Sequence, residues 1–294
     1  MKTYLVLTSA AEHFAKKIKN GDFEVILPDL NRENKMYFPD GEIYVRLSKV
    51  REMKERRVIV LHSGAPEPNE GLVEMELLLQ ILKDNDIRAE IFFTYFPYGR
   101  QDKIFEQGET SAAENLIHKL VNYYKVKRIY IVEPHFAERD WVKNYPLVNI
   151  SATPILMAKA RQDFGKNILF LAADKGGQRR FKVKGFNKIR KNSYQIELEL
   201  SKKLINSIKG KTVGLIDDLI GTGGTLLKAG ELVKKYRAKK VVCLLTHALL
   251  KEGVEKIRKK FAKVYLTNTI KQPKVPQINI TQLILKAISK YGRN

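Results

Sequence analysis

The stretch VGLIDDLIGTGGT, residues 213–225, decides the fold. An apolar run meets two adjacent acids, and the chain then turns small, glycine-rich and hydroxylated. The amphipathic segment TLLKAGELVKKY (225–236) follows at once. Strand, loop and helix in that order place Asp217 to Thr225 at the carboxyl end of a strand, where open α/β sheets bind ligands. Loop amides and a helix N-terminus favour an anion. Thr222 and Thr225 add hydroxyl donors, while Gly223 and Gly224 permit close backbone approach. Two common phosphate motifs are absent. GxxxxGK[ST] needs a lysine where Gly224 stands, and no GxGxxG occurs.

Working outward, short apolar runs recur at 4–8, 58–62, 89–96, 128–133, 168–172, 212–217, 240–245 and 263–267. Amphipathic helices lie between several of them. One is 71–86, with Leu72, Met75, Leu79 and Leu82 at helical spacing. Alternating strand and helix implies largely parallel sheets flanked by helices. Both halves share this rhythm, and NYPLVNISATPIL (144–156) is a plausible crossing point. The expectation is two tandem α/β domains, 1–145 and 146–279, with the C-terminal helix 280–294 able to rejoin the first. The N-terminal MKTYLVLTSAAEHFAKK reads as strand then helix, since its apolar run is short and passes into a charged segment.

The chain has 294 residues, with 54 basic and 32 acidic side chains and a net charge of +22. No apolar stretch approaches the ~20 residues of a membrane helix. Cys243 is the only cysteine, which excludes an intrachain disulfide and a cysteine metal cluster and suits a reducing cytoplasm. Lys and Arg run along the whole chain, the densest being EKIRKK (255–260) at helix spacing, which reads as a solvated basic surface. His13, His62 and His118 read as helix or strand residues without a partner.

Asp217 and Asp218 are placed badly for a pyrophosphate but well for vicinal sugar hydroxyls, for which carboxylates are strong acceptors. Hydroxyls above a phosphate cradle describe a ribose 5-phosphate site. The loop resembles the ribose-phosphate loop of the phosphoribosyltransferase fold. YFPDGEIYVRL (37–47), YFPYGRQDK (95–103), VEPHF (132–136), AADKGG (172–177), FNKIRK (186–191), LLTHALL (244–250) and LTNTI (266–270) look like the successive motifs of ribose-phosphate pyrophosphokinases. The resemblance covers nearly the whole chain, in order.

It implies two tandem phosphoribosyltransferase-like domains and transfer of the terminal diphosphate of ATP to the anomeric hydroxyl of ribose 5-phosphate, giving phosphoribosyl pyrophosphate and AMP. It implies ATP contacts from Phe38, Asp40, Gly41, Glu42, Arg100, Gln101, Asp102 and His135. Phe38, Asp40 and Glu42 would reach a neighbouring subunit's ATP, so a homo-oligomer is expected. His135 and Asp174 would each bind Mg²⁺, which keeps several waters. Lys188 and Arg190 match the catalytic pair, and Arg190, Asp217, Asp218, Gly221, Thr222, Gly223, Gly224 and Thr225 match the ribose 5-phosphate set. Read alone, FPDGE is strong turn chemistry and GFNKIRK a basic turn.

Two positions depart from the family pattern. Glu133 stands where the family has Asp, which lengthens the carboxylate's reach, and Gly221 replaces an acid, which removes one contact to the sugar. Other readings on the same fold are a catalytically silent or RNA-binding regulator and a base phosphoribosyltransferase. Dispersed basic residues and the absence of an RNA-binding signature weigh against a specific nucleic-acid partner.

Overall fold

Each of the eight apolar runs forms a strand, and all eight lie in parallel sheets. The computed structural model describes residues 2–19, 21–190 and 196–292, with the backbone alone at 188–190 and 196–197. It divides into two units, 1–150 with 281–294, and 151–280. Among the described residues no helix is long and apolar enough to cross a membrane.

The first unit holds six strands: β1 (Thr3–Leu7), β2 (Phe23–Ile26), β3 (Val58–Ser63), β4 (Glu90–Tyr95), β5 (Ile129–Val132) and β6 (Leu147–Ile150). All pair in parallel, in the order β2-β1-β3-β4-β5-β6. Every residue of β3 and β5 is buried, the mark of a sheet covered on both faces. Helix α1 (Pro68–Asp84) starts with proline in its first turn, where no amide is lost, and buries Met75, Leu78, Leu79 and Leu82. Helix α2 (Ala112–Asn122) buries Ala113, Ile117 and Leu120 in the same core.

The C-terminal helix, Thr281–Lys290, belongs to this unit, and a polar cluster ties it down. Arg57 donates to both oxygens of Glu90 at 2.7 and 2.9 Å and to the carbonyl of Ile288 at 2.9 Å. The Tyr130 hydroxyl also donates to Glu90, at 2.8 Å. Those contacts hold Glu90 ionised: against burial, which raises its pKa, Arg57, Tyr130 and Arg128 set it below the usual carboxylate value.

In the second unit β7 (Leu169–Ala172), β10 (Thr212–Ile220), β11 (Lys240–Ala248) and β12 (Lys263–Leu266) form a parallel sheet ordered β12-β11-β10-β7. Helices α3 (Thr153–Phe164), α4 (Lys175–Phe181), α5 (Lys202–Ile208), α6 (Gly224–Lys235) and α7 (Lys251–Lys260) complete it. A separate antiparallel hairpin pairs β8 (Asn187–Arg190) with β9 (Ile196–Glu199), with Lys188 opposite Leu198.

The helix expected after β1 is there, as a 3-10 helix, Ser9–Lys17. Two expectations need adjustment. β10 does not stop at Asp217 but continues to Ile220, because Leu219 and Ile220 pair with His247 and Ala248 of an equally long β11. Neither His13 nor His62 is without a partner. The His62 Nδ1 lies 3.0 Å from the Thr8 hydroxyl, and burial pushes its pKa down to about 3, so it is neutral.

Candidate functional site

In the first unit the expected ligand residues sit on loops that leave the carboxyl ends of β4 and β5, and on a hairpin between β2 and β3. That hairpin is FPDGE. Gly41 donates to the Phe38 carbonyl at 3.0 Å, closing a four-residue turn, and Phe38 donates to the Glu42 carbonyl at 2.8 Å. Gly41 has φ +93°, which only glycine adopts without strain. The turn therefore leaves Phe38, Asp40 and Glu42 exposed at one tip. Phe38 is braced edge-on by Tyr44, with ring centroids 5.7 Å apart.

The β4 loop, FPYGRQD, is clamped from below. Gly64 after β3 packs so tightly on Pro97 that a Cβ would stand 2.5 Å from it. Asp102 is buried, and Arg139 donates to both its oxygens at 2.7 and 3.0 Å, while the Trp141 indole donates to its carbonyl at 3.3 Å. Arg100 and Gln101 remain exposed on the loop. After β5, Glu133 is buried and left-handed (φ 44°), and His135 is exposed beside the buried Phe136. Phe136 packs on Phe96 and Trp141, each at 5.0 Å between centroids. Both loops thus share one aromatic anchor.

In the second unit Asp174 follows β7 and caps α4, accepting from the Gly177 amide at 2.9 Å. One residue short of that helix's end stands Arg180, whose guanidinium lies 2.8 Å from Asp218 on β10. The pair is nearly fully buried, with side-chain exposures of 8% and 4%. Asp217 is half-buried beside it. Burial first, then Asp218 and Asp174, push the Asp217 carboxyl well above the usual range, and Arg180 opposes the rise. Acids crowded in this way hold their charge better when a cation or hydrogen-bond donors arrive.

The loop beyond β10 leads straight into α6. Gly223 takes φ +82° as the helix N-cap, and Thr222, Gly224 and Thr225 are exposed. The first amides of a helix have no helical acceptor, so this exposed turn suits a phosphate. Behind the loop stands α7. A Cβ on Gly253 would lie 1.7 Å from the Gly221 carbonyl oxygen, so only glycine fits there. In contrast, a Cβ on Gly221 would meet nothing within 4 Å. Packing does not forbid an acid at 221.

The catalytic pair expected at Lys188 and Arg190 falls on β8, whose side chains at these positions lie outside the described residues. Among the described residues no three His, Cys, Asp or Glu side chains converge to hold a metal ion. Oxygen-rich, charge-crowded Asp174 and Asp217 suit a hard cation such as Mg²⁺, which draws most of its shell from water and phosphate oxygens. The fit is therefore to a metal carried by substrate rather than to a protein cage.

Sequence reading missed Arg139, Arg180 and Gly253. Nothing local marks the two arginines, because their acid partners are distant in the chain. Gly253 does carry a signal. A glycine inside the charged helix KEGVEKIRKK costs about 1 kcal/mol relative to alanine and so points to a close approach.

Comparison with known proteins agrees along the chain. Residues 4–124 match the family model "N-terminal domain of ribose phosphate pyrophosphokinase", and 155–280 match "Phosphoribosyl transferase domain". The ribose-phosphate pyrophosphokinase of Thermococcus kodakarensis is 30% identical, over 96% of this chain and 99% of its own. That of Pyrococcus furiosus is 31% identical, over 97% and 100%. The fold is that of the phosphoribosylpyrophosphate synthetase from Mycobacterium smegmatis, with a TM-score of 0.80 over the whole of both chains at 23% identity. With both domain models matched in order and full-length relatives on either side, the chain belongs to the ribose-phosphate pyrophosphokinase family.

Proposed function

We propose that this chain is a ribose-phosphate diphosphokinase, which converts ATP and ribose 5-phosphate to AMP and phosphoribosyl pyrophosphate. The observation that carries the reading is the exposed Thr222–Thr225 turn at the start of α6, with an acid cluster on the strand before it, in a chain matched to this family end to end. The loop amides and Thr225 hold the 5-phosphate. Asp217 accepts from ribose hydroxyls, while Asp218, committed to Arg180, sets the charge beside it.

In the first unit, exposed Arg100 and Gln101 bind the nucleotide, and Asp102 holds their loop through Arg139 rather than touching ATP. Phe38, Asp40 and Glu42, exposed at a hairpin tip, take the adenine of a neighbouring copy, which makes the active form a homo-oligomer.

The reaction forms a bond from the anomeric oxygen to the β-phosphorus and breaks the bond from that phosphorus to the oxygen bridging it to the α-phosphate. AMP leaves with the bridging oxygen, and the hydroxyl proton passes to solvent. Lys188 and Arg190 stabilise charge that gathers on the bridging and equatorial oxygens as the bond breaks. His135 would hold Mg²⁺ on the nucleotide and Asp174 a second Mg²⁺ near the ribose, and each ion, its shell completed by water and phosphate oxygens, would offset phosphate charge.

The test is AMP formation measured with both substrates. Release of AMP should require ribose 5-phosphate and cease on chelation of Mg²⁺. AMP formed without ribose 5-phosphate, or turnover indifferent to a chelator, would overturn the reading.

A further inference from the structure

The net charge is not shared between the two units. Residues 151–280 hold 29 basic and 9 acidic side chains, a net of +20. The other unit holds 25 and 23, a net of +2. Basic residues do run along the whole chain, but acids are depleted in one unit. A general preference for lysine would load both units alike.

Within the second unit the excess gathers at one edge. KGK (209–211), KKYRAKK (234–240) and RKKFAK (258–263) carry eleven cations and no acid, and every one of the eleven is exposed. The fold sets the three segments side by side. Lys239 donates its amide to the Lys211 carbonyl at 2.8 Å, Gly210 to the Arg237 carbonyl at 2.9 Å, and Ala262 to the Val241 carbonyl at 2.9 Å. The Lys234 ammonium donates to the Lys260 carbonyl at 2.9 Å. Among the described residues Lys263 alone of the eleven has a carboxylate partner, Asp163 at 2.6 Å.

This edge is where β10, β11 and β12 begin and where α6 and α7 end. Cations in the last turn of a helix offset its dipole, which accounts for a few of them but not for eleven beside no acid. Nor does steering of substrate account for them. From Thr212 to Ile220 the strand rises roughly 26 Å, and charge is screened over ~8 Å at physiological salt. The edge is therefore electrostatically remote from the phosphate turn at the far end of β10.

We propose that this edge binds the phosphate backbone of a double-stranded nucleic acid, without regard to sequence. A second copy of the chain is a poor occupant, since neither unit carries net negative charge. A membrane surface is a poor one too, because amphipathic membrane anchors present large apolar side chains, and none of the exposed large hydrophobics lies in these segments. Backbone contacts without stacking or groove-reading elements give affinity that falls steeply with salt.

The experiment measures fluorescence anisotropy of labelled 20-base-pair RNA and DNA duplexes of one sequence, titrated with the full chain at 50 and 200 mM salt. Both duplexes should bind within a few-fold of each other. Six neutralised phosphates would give about a 10³-fold loss of affinity between the two salts. Lys211→Glu/Lys239→Glu/Lys260→Glu should weaken binding at least tenfold at 50 mM salt, with melting temperature and catalytic rate retained. The charge-matched control Lys16→Glu/Lys17→Glu/Lys19→Glu, in the other unit, should bind like wild type. The proposal fails if wild type binds neither duplex at 50 mM salt, or if the two triple variants lose affinity equally. It also fails if anionic phosphatidylserine vesicles bind wild type while both duplexes do not.

Discussion

Asp102 and Asp218 are both buried acids beside a candidate ligand loop, and an arginine holds each, yet the two pairs differ in setting. Arg139 grips Asp102 with two hydrogen bonds and is itself about a third exposed, at 36%. Asp102 is the acid that raises the Arg139 pKa, against its burial, and the pair fixes a loop whose Arg100 stays exposed. The Arg180–Asp218 pair is deeper, and Asp217 and Asp174 crowd it. There the arginine offsets charge that the site itself concentrates. The same ion pair serves as a strut in one unit and as a counter-charge in the other.

The largest effect that bears on this contrast is in catalysis. Lys188→Ala should lower kcat by ~10²–10³, or roughly 2.7–4 kcal/mol, because the role proposed for its charge is to stabilise the transition state. KM for either substrate should move less than about tenfold. Thr225→Ala should do the reverse, raising KM for ribose 5-phosphate with kcat little changed. Steady-state kinetics on both variants checks the split. A near-normal kcat for Lys188→Ala would reduce β8 to a basic turn and make Arg100 the next candidate.

Next comes the pair itself. Arg180→Gln removes the cation beside buried Asp218, which costs about 3–5 kcal/mol. Its melting temperature should fall, and KM for ribose 5-phosphate should rise more than KM for ATP, with Arg180→Lys intermediate. Asp102→Asn releases a partly solvated partner and should cost about 1 kcal/mol. It should raise KM for ATP alone. Equal effects of the two variants on both substrates would erase the distinction between strut and counter-charge.

Smaller again is Gly253→Ala. Its Cβ must push the Gly221–Thr222 turn off α7. We expect KM for ribose 5-phosphate to rise several-fold while KM for ATP stays put. Unchanged kinetics would mean that the turn yields without consequence. The smallest effect is Gly221→Asp. Open space at that position accepts the side chain, so melting should not change, and the added acceptor should lower KM for ribose 5-phosphate a few-fold. A raised KM would show that the missing acid is not a lost sugar contact.

How much of this was legible in the sequence follows the range of each interaction. The eight strands and α1 were readable because apolar periodicity is local. β2 and β6, four residues each and only partly buried, were not, and β8 carries a basic motif in place of an apolar run. The strand–turn–helix unit was legible because strand, acids, glycines and helix are contiguous in 213–225. The strand's end was misjudged by three residues, since the length of β10 is set by β11. Arg180 and Arg139 were illegible for the same reason: an ion pair across the fold leaves no mark at either residue. The confinement of net charge to one unit was present in the composition, but it has meaning only once the units are known.

The central claim is tested most directly by phosphorus NMR of the wild-type chain with ATP, Mg²⁺ and ribose 5-phosphate. The account predicts that the β- and γ-phosphate signals of ATP are replaced by those of a diphosphate on the anomeric carbon, with one AMP formed for each. ADP with a ribose bisphosphate, or no reaction while both substrates bind, would contradict it.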